Sequence, residues 1–306
     1  MGAPAIAQAW PSKPIRFVVS YPPGGATDIF ARAYGDYISK QLGQPVLVEN
    51  KAGAGGTVGA LEVKQSAPDG YTLLFTISTT MIMNKVLYKN LPYDPDKDFV
   101  LISYQPAGSL ATIVQTSTGI TTLDQFADYA RKNKTNMGTY AAGSYAHLVV
   151  AEPNKHYGLK MEAVHYRGES PMWADFLTGS VQAGTGAWFV AQNVLQTGKG
   201  RAIAVSQKRM KKLPGVPTFA EQGVMSDVFR LQGFVCAVGP AGMPHPVVDR
   251  FSELFVQAGK SEKIQGLLDQ FGIDDPAVGR AGFEKLVAEE GPIWLKAVSG
   301  LGLVPE

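Results

Sequence analysis

Short apolar runs rich in β-branched and aromatic residues alternate with helical patterns along most of this chain. "IRFVVSY" is followed by the helical pattern "TDIFARAYGDYISKQLG", "PVLVEN" is followed by "TVGALEVKQSA", and "YTLLFT" closes the first series. A β-α-β-α-β order predicts parallel strands, because each helix returns the chain to the same edge of the sheet. The alternation therefore restricts the chain to the α/β class, with a mainly parallel sheet flanked by helices.

A second series of strands and helices begins after residue 110. "ATIVQT", "NMGTY", "EAVHY", "VQAGTG" and "AIAVS" are predicted strands, with helical patterns between the first four. The apolar strand "FRLQGFVCAVG" then precedes the loop "PAGMPHP" and the C-terminal helices. A length of 306 residues also favours about two domains. We therefore predict that residues 10–111 and 229–306 form lobe one and residues 112–228 form lobe two, with crossings near Ala107–Thr112 and Ser226–Leu231.

Two of the predicted strand-to-helix turns share the pattern Tyr-x-x-Gly-small. One begins at Tyr21 and the other at Tyr140. A helix N-terminus carries unpaired N–H groups and partial positive charge, and glycine lets the backbone approach a ligand closely. In open α/β sheets, ligands bind beyond the carboxyl ends of the strands, where both turns would lie. The two turns are therefore candidate halves of an anion site, although ordinary tight turns would show the same pattern.

Candidate ligand-binding residues follow from these turns and from the ends of neighbouring predicted strands. Asp28 is expected to cap and brace its turn, and the hydroxyls of Ser78 and Thr79 end the third strand. The first turn contributes Tyr21, Pro23, Gly24, Gly25, Ala26, Thr27 and Asp28. The second turn contributes Ala142, Gly143, Ser144, Tyr145 and His147. The strand ends contribute Ser78, Thr79, Arg167, Trp188 and Phe189.

Several of these side chains allow a structural role as well as a binding role. Arg167 could hold a carboxylate bidentately or form a surface ion pair. His147 could contact ligand or be a hydrogen-bonded structural histidine. Trp188 and Phe189 could form the wall of a pocket or simply pack against their neighbours.

Composition and motifs argue against several other classes of protein. The net charge of +2, from 28 basic and 26 acidic residues, does not favour a nucleic-acid binder. The single cysteine, Cys236, excludes an internal disulfide and lies in an apolar run that predicts a buried thiol. The four histidines lack metal-ligand spacing, and neither a Walker loop nor a G-x-S-x-G elbow occurs. "GAGGTVG" follows the second strand and departs from the dinucleotide fingerprint. We therefore predict no cofactor, no metal and no enzymatic activity.

The first nine residues suggest export. Ala7 and Ala9 in "AIAQA" resemble the A-x-A end of a secretory signal, although the charged and apolar parts that should precede it are missing. Residues 1–9 are therefore predicted to be a signal-peptide remnant joined to an expression start. A plain flexible tail is the alternative.

Long stretches of the chain also resemble one family. "WPSKPIRFVVSYPPGGATDIFARAYGDYISKQLGQPVLVENKAGAGGTVGALEVKQSAPDGYTLLFT" is similar to the opening of the Bug family, the TctC-like solute-binding proteins of tripartite tricarboxylate transporters. "LYKNLPYDPDKDF", "YRG", "RAIAVSQKRMKKLPGVPTFAEQG" and "PAGMPHPVVDRF" also resemble family segments. The resemblance implies a monomeric periplasmic binding protein of the type II-like, Venus-flytrap fold. Its lobes would close on a small carboxylate and deliver it to membrane subunits.

Two departures from the family pattern bear on the ligand. The second turn, "YAAGSYAHL", is shorter than usual and contains Tyr145, and the segment around Trp188 and Phe189 is more aromatic. Flat apolar walls would suit an aromatic mono- or dicarboxylate such as terephthalate. Two alternatives stay open: a carboxylate-sensing domain that feeds a signalling partner, and an α/β hydrolase or lyase using Ser144 and His147 near Asp28.

Overall fold

The computed structural model describes residues 10–305, so the predicted signal-peptide remnant lies outside the described residues. The strands in chain order are β1 Ile15–Val19, β2 Val46–Asn50, β3 Thr72–Ile77, β4 Phe99–Pro106, β5 Leu110–Gln115, β6 Asn136–Thr139, β7 Glu162–His165, β8 Ala183–Ala187, β9 Gly200–Val205, β10 Phe234–Pro240 and β11 Val278–Gly279. The α-helices are α1 Ala26–Leu42, α2 Thr57–Lys64, α3 Asn84–Leu87, α4 Leu123–Lys132, α5 Tyr145–Tyr157, α6 Glu169–Thr178, α7 Trp188–Gln196, α8 His245–Gly259, α9 Glu262–Phe271 and α10 Arg280–Ser299.

The strands form two separate sheets. The first has six strands in the order β11-β4-β10-β3-β1-β2, and the second has five in the order β7-β6-β8-β5-β9. β1 is parallel to β2 and β3, and β6 is parallel to β7 and β8. β10 is antiparallel to β3 and β4, and β5 is antiparallel to β8 and β9. The predicted two-lobe α/β fold is therefore confirmed, but both sheets are mixed instead of mainly parallel.

Four elements were not predicted from the sequence, namely the strands β4 and β11 and the helices α3 and α7. β4 was missed because "FVLISYQP" is joined to β5 by three residues, without the intervening helix that marks the other strands. Helix α7 was missed because Trp188 and Phe189 were expected only to follow a short strand, without a helix after it. β10 also begins later than expected, since Asp227–Arg230 forms a 3-10 turn.

The chain passes between the sheets twice. It leaves the first sheet after Pro106 and returns between β9 and β10. The two passages contact each other, because Ser109 Oγ donates to the carbonyl of Lys208 at 2.9 Å and accepts its N–H at 3.1 Å. The domain boundaries proposed from the sequence place their crossings in these two segments and stay a prediction.

The cores lie between the sheets and their helices. Phe17 of β1, Phe75 and Phe255 pack against one another, with ring centroids 5.9, 6.0 and 6.1 Å apart. Cys236 of β10 is buried in a different hydrophobic cluster, and burial raises the pKa of its thiol, as expected for an unreactive cysteine. Among residues 10–305, no helix combines the length and the apolar character needed to cross a membrane.

Candidate functional site

The first turn connects β1 to α1 and leaves a group of backbone donors open. Gly24 adopts a left-handed conformation at φ +82°, which a side chain would strain, and Gly25 caps the helix in an extended conformation. The Gly25 carbonyl accepts the N–H of Ile29 at 3.0 Å, which begins the helix. Within residues 10–305, no hydrogen bond is made by the N–H groups of Gly25, Ala26 or Thr27. These three donors lie at the carboxyl edge of β1.

Asp28 holds the first turn in place. Its carboxylate, on a residue only 4% exposed, accepts the Gly24 N–H at 3.0 Å, Arg32 Nε at 3.1 Å and Asn50 Nδ2 at 3.0 Å. Burial would raise the pKa of Asp28, but the bonds from Arg32, Gly24 and Asn50 lower it overall. The structure therefore shows Asp28 as the brace expected from the sequence, with its acceptors already occupied.

The second turn, between β6 and α5, repeats the construction of the first. Gly143 is left-handed at φ +66°, and Ser144 caps the helix with φ −74° and ψ 168°, close to the −80° and 169° of Gly25. The residue four positions after each left-handed glycine closes the turn. Asp28 does so in the first turn, and His147 Nδ1 accepts the Gly143 N–H at 3.2 Å in the second. The two turns are thus structural counterparts with different closing groups.

His147 is therefore a structural acceptor on one side of its ring. Because Nδ1 accepts an N–H, the neutral ring carries its proton on Nε2 and can donate there. Burial, and secondarily the nearby His165, lower the pKa of His147 to about 4. The two imidazole rings lie 4.3 Å apart, and His165 Nδ1 is 2.6 Å from Thr139 Oγ1. His147 is neutral near pH 7.

The Ser144 hydroxyl and the His147 imidazole do not have the arrangement that an enzyme nucleophile and its base would need. Ser144 Oγ donates to the Ala141 carbonyl at 2.7 Å and accepts the backbone N–H of His147 at 3.4 Å. Asp28 is bonded to Arg32 and Asn50 at the first turn. Ser144 is therefore a helix cap, and the structure gives the hydrolase alternative no support.

Tyr145 corrects one expectation from the sequence. Its residue is 4% exposed, its hydroxyl donates to the Val228 carbonyl at 3.1 Å, and its ring meets Trp294 edge-on at 5.3 Å. The side chain points into the core because the first turn of α5 packs against α10 and the 227–230 turn. Only the backbone of Tyr145 remains available at the turn.

For Trp188 and Phe189, the structure shows packing. Phe189 stacks on Phe271 of α9 with centroids 4.2 Å apart and planes 10° apart, and Phe271 also meets Phe30 at 5.1 Å. The ring of Trp188 lies against Gly272, where a β-carbon would come within 2.8 Å of it. These contacts join α7, which follows the second sheet's β8, to helices of the first sheet. One face of the Phe189 ring is therefore occupied by packing, and its role as a pocket wall stays a prediction.

The segments that follow the carboxyl ends of the strands in the two sheets also contact each other at the second turn. A β-carbon on Gly143 would lie 2.5 Å from Leu87 Cδ2 of α3. Lys208, Lys211 and Lys212, between β9 and β10, pair with Asp275, Asp274 and Asp269 at 2.6, 3.1 and 2.8 Å. The second sheet's turns therefore face the first sheet across a close interface.

The remaining candidates occupy less direct positions. Pro23 and Ala142 lie within the two turns, and Ser78 is buried where a π-turn begins after β3. The Tyr21 hydroxyl bonds to Gly55 O at 3.2 Å and lies 3.1 Å from the hydroxyl of Thr80, the neighbour of the predicted Thr79. Arg167 is exposed, and no ion pair involves it within residues 10–305, so its surface-pair alternative is not observed.

One acidic residue at this edge was missed. Glu169 begins α6, and both its carboxylate oxygens accept the Ala187 N–H, at 3.0 and 3.1 Å. Burial raises the pKa of Glu169 to about 7, although the hydrogen bond from Ala187 and the nearby indole N–H of Trp173 act in the opposite direction. The sequence "YRGES" offered one usable signal, namely an acid directly after a predicted strand end. Among the described residues, no group of three or more potential metal ligands occurs.

Comparisons with known proteins agree with this geometry. Residues 30–303 match the family model of the tripartite tricarboxylate transporter family receptor, TctC. Protein BugT of Bordetella pertussis is 34% identical over 227 residues, covering 73% of this chain and 70% of BugT. The structure of R. palustris Rpa4515 with adipate has a TM-score of 0.84 at 26% identity, covering 97% of this chain and 100% of that one. MatC from Rhodopseudomonas palustris with bound malate has a TM-score of 0.78 at 26% identity, covering 94% and 100%.

Proposed function

The chain belongs to the tripartite tricarboxylate transporter receptor family, and from this premise we propose that it captures a small carboxylate between its two lobes and passes it to membrane subunits. The observation that carries the proposal is the pair of matched turns at facing sheet edges, the first with three open N–H donors. The binding of adipate and malate by two similar proteins supports this class of ligand.

The first turn has the chemistry that a carboxylate requires. A hydrogen bond to a charged group contributes about 1.5–3 kcal/mol, and the N-terminal end of α1 adds a favourable dipole. Three or four such bonds, after the cost of ordering the ligand, reach the roughly 8 kcal/mol of a micromolar complex. The donors of Gly25, Ala26 and Thr27 would supply most of them.

Closure is the second part of the proposal. Donors on both lobes reach one ligand only when the lobes are together, so ligand favours the closed form. Two chain passages between the sheets would form the hinge. The membrane subunits would then distinguish the closed form from the open one. We further propose that the protein acts in the periplasm and as a monomer, as the family resemblance implies.

An aromatic acid such as terephthalate remains a narrower proposal. It requires the ligand to use the ring faces of Phe189 or Trp188 that are left free by Phe271 and Gly272, or to displace these contacts. The stack at 4.2 Å is a favourable contact that a displacing ligand would have to replace. Aliphatic acids need no such rearrangement, and we expect them to bind more readily.

A thermal-shift panel tests the proposed function. The protein is first unfolded and refolded to remove any carried-over ligand, then mixed with aliphatic di- and tricarboxylates, hydroxy and amino acids, benzoate and terephthalate. At a hundred times its dissociation constant, a ligand that binds only the folded state stabilises it by about 2.7 kcal/mol. For a chain of this size the melting temperature should rise by about 4 °C.

The panel also contains its own control. The corresponding uncharged amides and alcohols should give no shift, because they cannot use the charge-assisted bonds. A shift that appears with the amides as strongly as with the acids would contradict carboxylate recognition. If none of the acids raised the melting temperature of the refolded, ligand-free protein, the result would contradict the proposed ligand class.

A further inference from the structure

The two turns differ in what already occupies them. At the first turn, the Tyr21 hydroxyl is turned away to Gly55 and Thr80, and the helix donors stay open. At the second turn, the counterpart Tyr140 places its hydroxyl near the Ala146 N–H and the Ser144 hydroxyl. The two corresponding tyrosine side chains therefore have different surroundings at the two turns.

Glu169 lies beside this second turn. Its side chain reaches from the loop after β7 to the Ala187 N–H at the end of β8. Because β6 lies between β7 and β8, the carboxylate must pass over the end of β6, where the second turn begins. The Gly168 N–H donates to the Tyr140 carbonyl at 3.0 Å, so the residue before Glu169 is tied to the start of the second turn. Glu169 therefore belongs to the edge that faces the first sheet.

The Glu169 carboxylate has unused capacity to accept hydrogen bonds. A carboxylate offers about four lone-pair positions, whereas the Glu169 oxygens share the Ala187 N–H and have the Trp173 indole N–H beside them, which leaves about two positions open. Within residues 10–305 no cation pairs with it, and the exposed Arg167 on the same loop makes no ion pair. A half-buried acid in this state attracts a donor and repels a second anion.

We propose that the two ends of the cleft have different chemistry, and that Glu169 is a specificity-determining residue. The first turn holds the carboxylate of the ligand, and Glu169 accepts a hydrogen bond from a hydroxyl or ammonium group at its other end. The preferred ligand class is then a monocarboxylate with a distal donor, and matched dicarboxylates bind more weakly. This inference rests on the proposed function.

A purely structural role for Glu169 is the alternative. The bond to Ala187 ties two loops together, and an acid at the first position of α6 also complements the helix dipole. Both roles would make the residue important for folding. Only the specificity role predicts that the effect of substituting Glu169 on affinity depends on the chemical group at the end of the ligand opposite its carboxylate.

The experiment measures dissociation constants by calorimetry for ligands that share one skeleton. The set is adipate, 6-hydroxyhexanoate, 6-aminohexanoate and hexanoate, with terephthalate, 4-hydroxybenzoate and benzoate as a second set. Near pH 8, where Glu169 is ionised, the wild-type protein should bind the donor-tipped acids at least about tenfold more tightly than the matched diacid. Glu169→Gln, which can still accept the Ala187 N–H, should reduce this ratio about tenfold or reverse it.

Glu290→Gln is the matched control. Glu290 of α10 is also a partly buried acid with a raised pKa, and it accepts one N–H, from Gln232 at 2.6 Å. It lies outside the two turns, so the ligand ratio should stay at the wild-type value. If Glu169→Gln does not fold, Glu169→Ser removes the same charge with a smaller side chain.

The outcomes separate the two proposals. The inference is supported if the acids with a distal hydroxyl or ammonium group bind more tightly than the matched diacids, and if this affinity ratio is lost only in the Glu169 variant. Equal binding of diacids and donor-tipped acids, or a ratio unchanged by Glu169→Gln, overturns the inference and leaves the proposed function standing. No binding of any acid by the stripped wild-type protein overturns the proposed function and the inference with it.

Discussion

Gly143→Ala is expected to weaken carboxylate binding by about a hundredfold, because the added methyl group would hold the lobes apart. The β-carbon would lie 2.5 Å from Leu87 Cδ2 and 3.1 Å from Cδ1, so the whole Leu87 side chain must move. The left-handed φ of +66° adds about 1–2 kcal/mol of backbone strain. Calorimetric titration with the strongest acid from the thermal-shift panel measures the loss.

Gly158→Ala separates strain from closure. Gly158 ends the same helix with φ +64°, and a β-carbon there would meet no heavy atom within 4 Å. We expect this variant to lose stability by about 1 kcal/mol and to bind ligand normally. The double variant Gly143→Ala/Leu87→Ala should recover much of the affinity. Equal loss of binding in the Gly143 and Gly158 variants would contradict a closure contact at Gly143.

The sequence predicted those parts of the site that depend on neighbouring residues. A strand, a glycine with positive φ and a capped helix are all local features, so both turns lie where expected. The bracing role of Asp28 is also local, since Gly24 is four residues away and Arg32 is four residues further on. The repeated Tyr-x-x-Gly pattern proved to mark two turns with nearly equal capping angles.

The features that the sequence missed depend on partners far along the chain. Tyr145 is turned inward by Val228 and Trp294, and Phe189 is held by Phe271. The mixed strand directions arise because β10 enters the first sheet between β3 and β4, and β5 lies between β8 and β9 in the second sheet. Glu169 gains its position from the end of β8, which no local pattern connects to "YRGES". Such contacts are set by tertiary packing and leave no periodic signal.

Asp28→Ala should cause the second large effect, a loss of both stability and binding. Removing the carboxylate leaves the Gly24 N–H and Arg32 without their acceptor and frees the first turn. Loss of a buried, multiply bonded acid costs about 2–4 kcal/mol, with the exposure of Arg32 keeping it below the value for a fully buried pair. Because the donors of Gly25 to Thr27 would no longer be held in position, affinity should fall by about a hundredfold.

The pH dependence of this loss has a defined sign. The pKa of Asp28 is lowered in the folded state, so its contribution is present above the pKa of the unfolded chain and disappears as pH falls through the folded value. Urea unfolding at a series of pH values should therefore show wild type and Asp28→Ala converging in acid. Convergence at neutral pH would contradict the bracing role.

Asp36→Ala, on the same helix, is the matched control for Asp28. Its carboxylate pairs with Lys40 at 3.1 Å and Lys263 at 3.0 Å, but all three side chains are at least 40% exposed. Surface pairs of this kind contribute about 0–1 kcal/mol, so stability should change little and binding should not change. Both variants remove one acid from α1. A loss of affinity that occurs only in Asp28→Ala would therefore be caused by the change in the first turn and not by the change in helix charge. Normal binding by a folded Asp28→Ala protein would show that the open donors keep their positions without the brace, and the carboxylate site would then have to be sought elsewhere along the cleft.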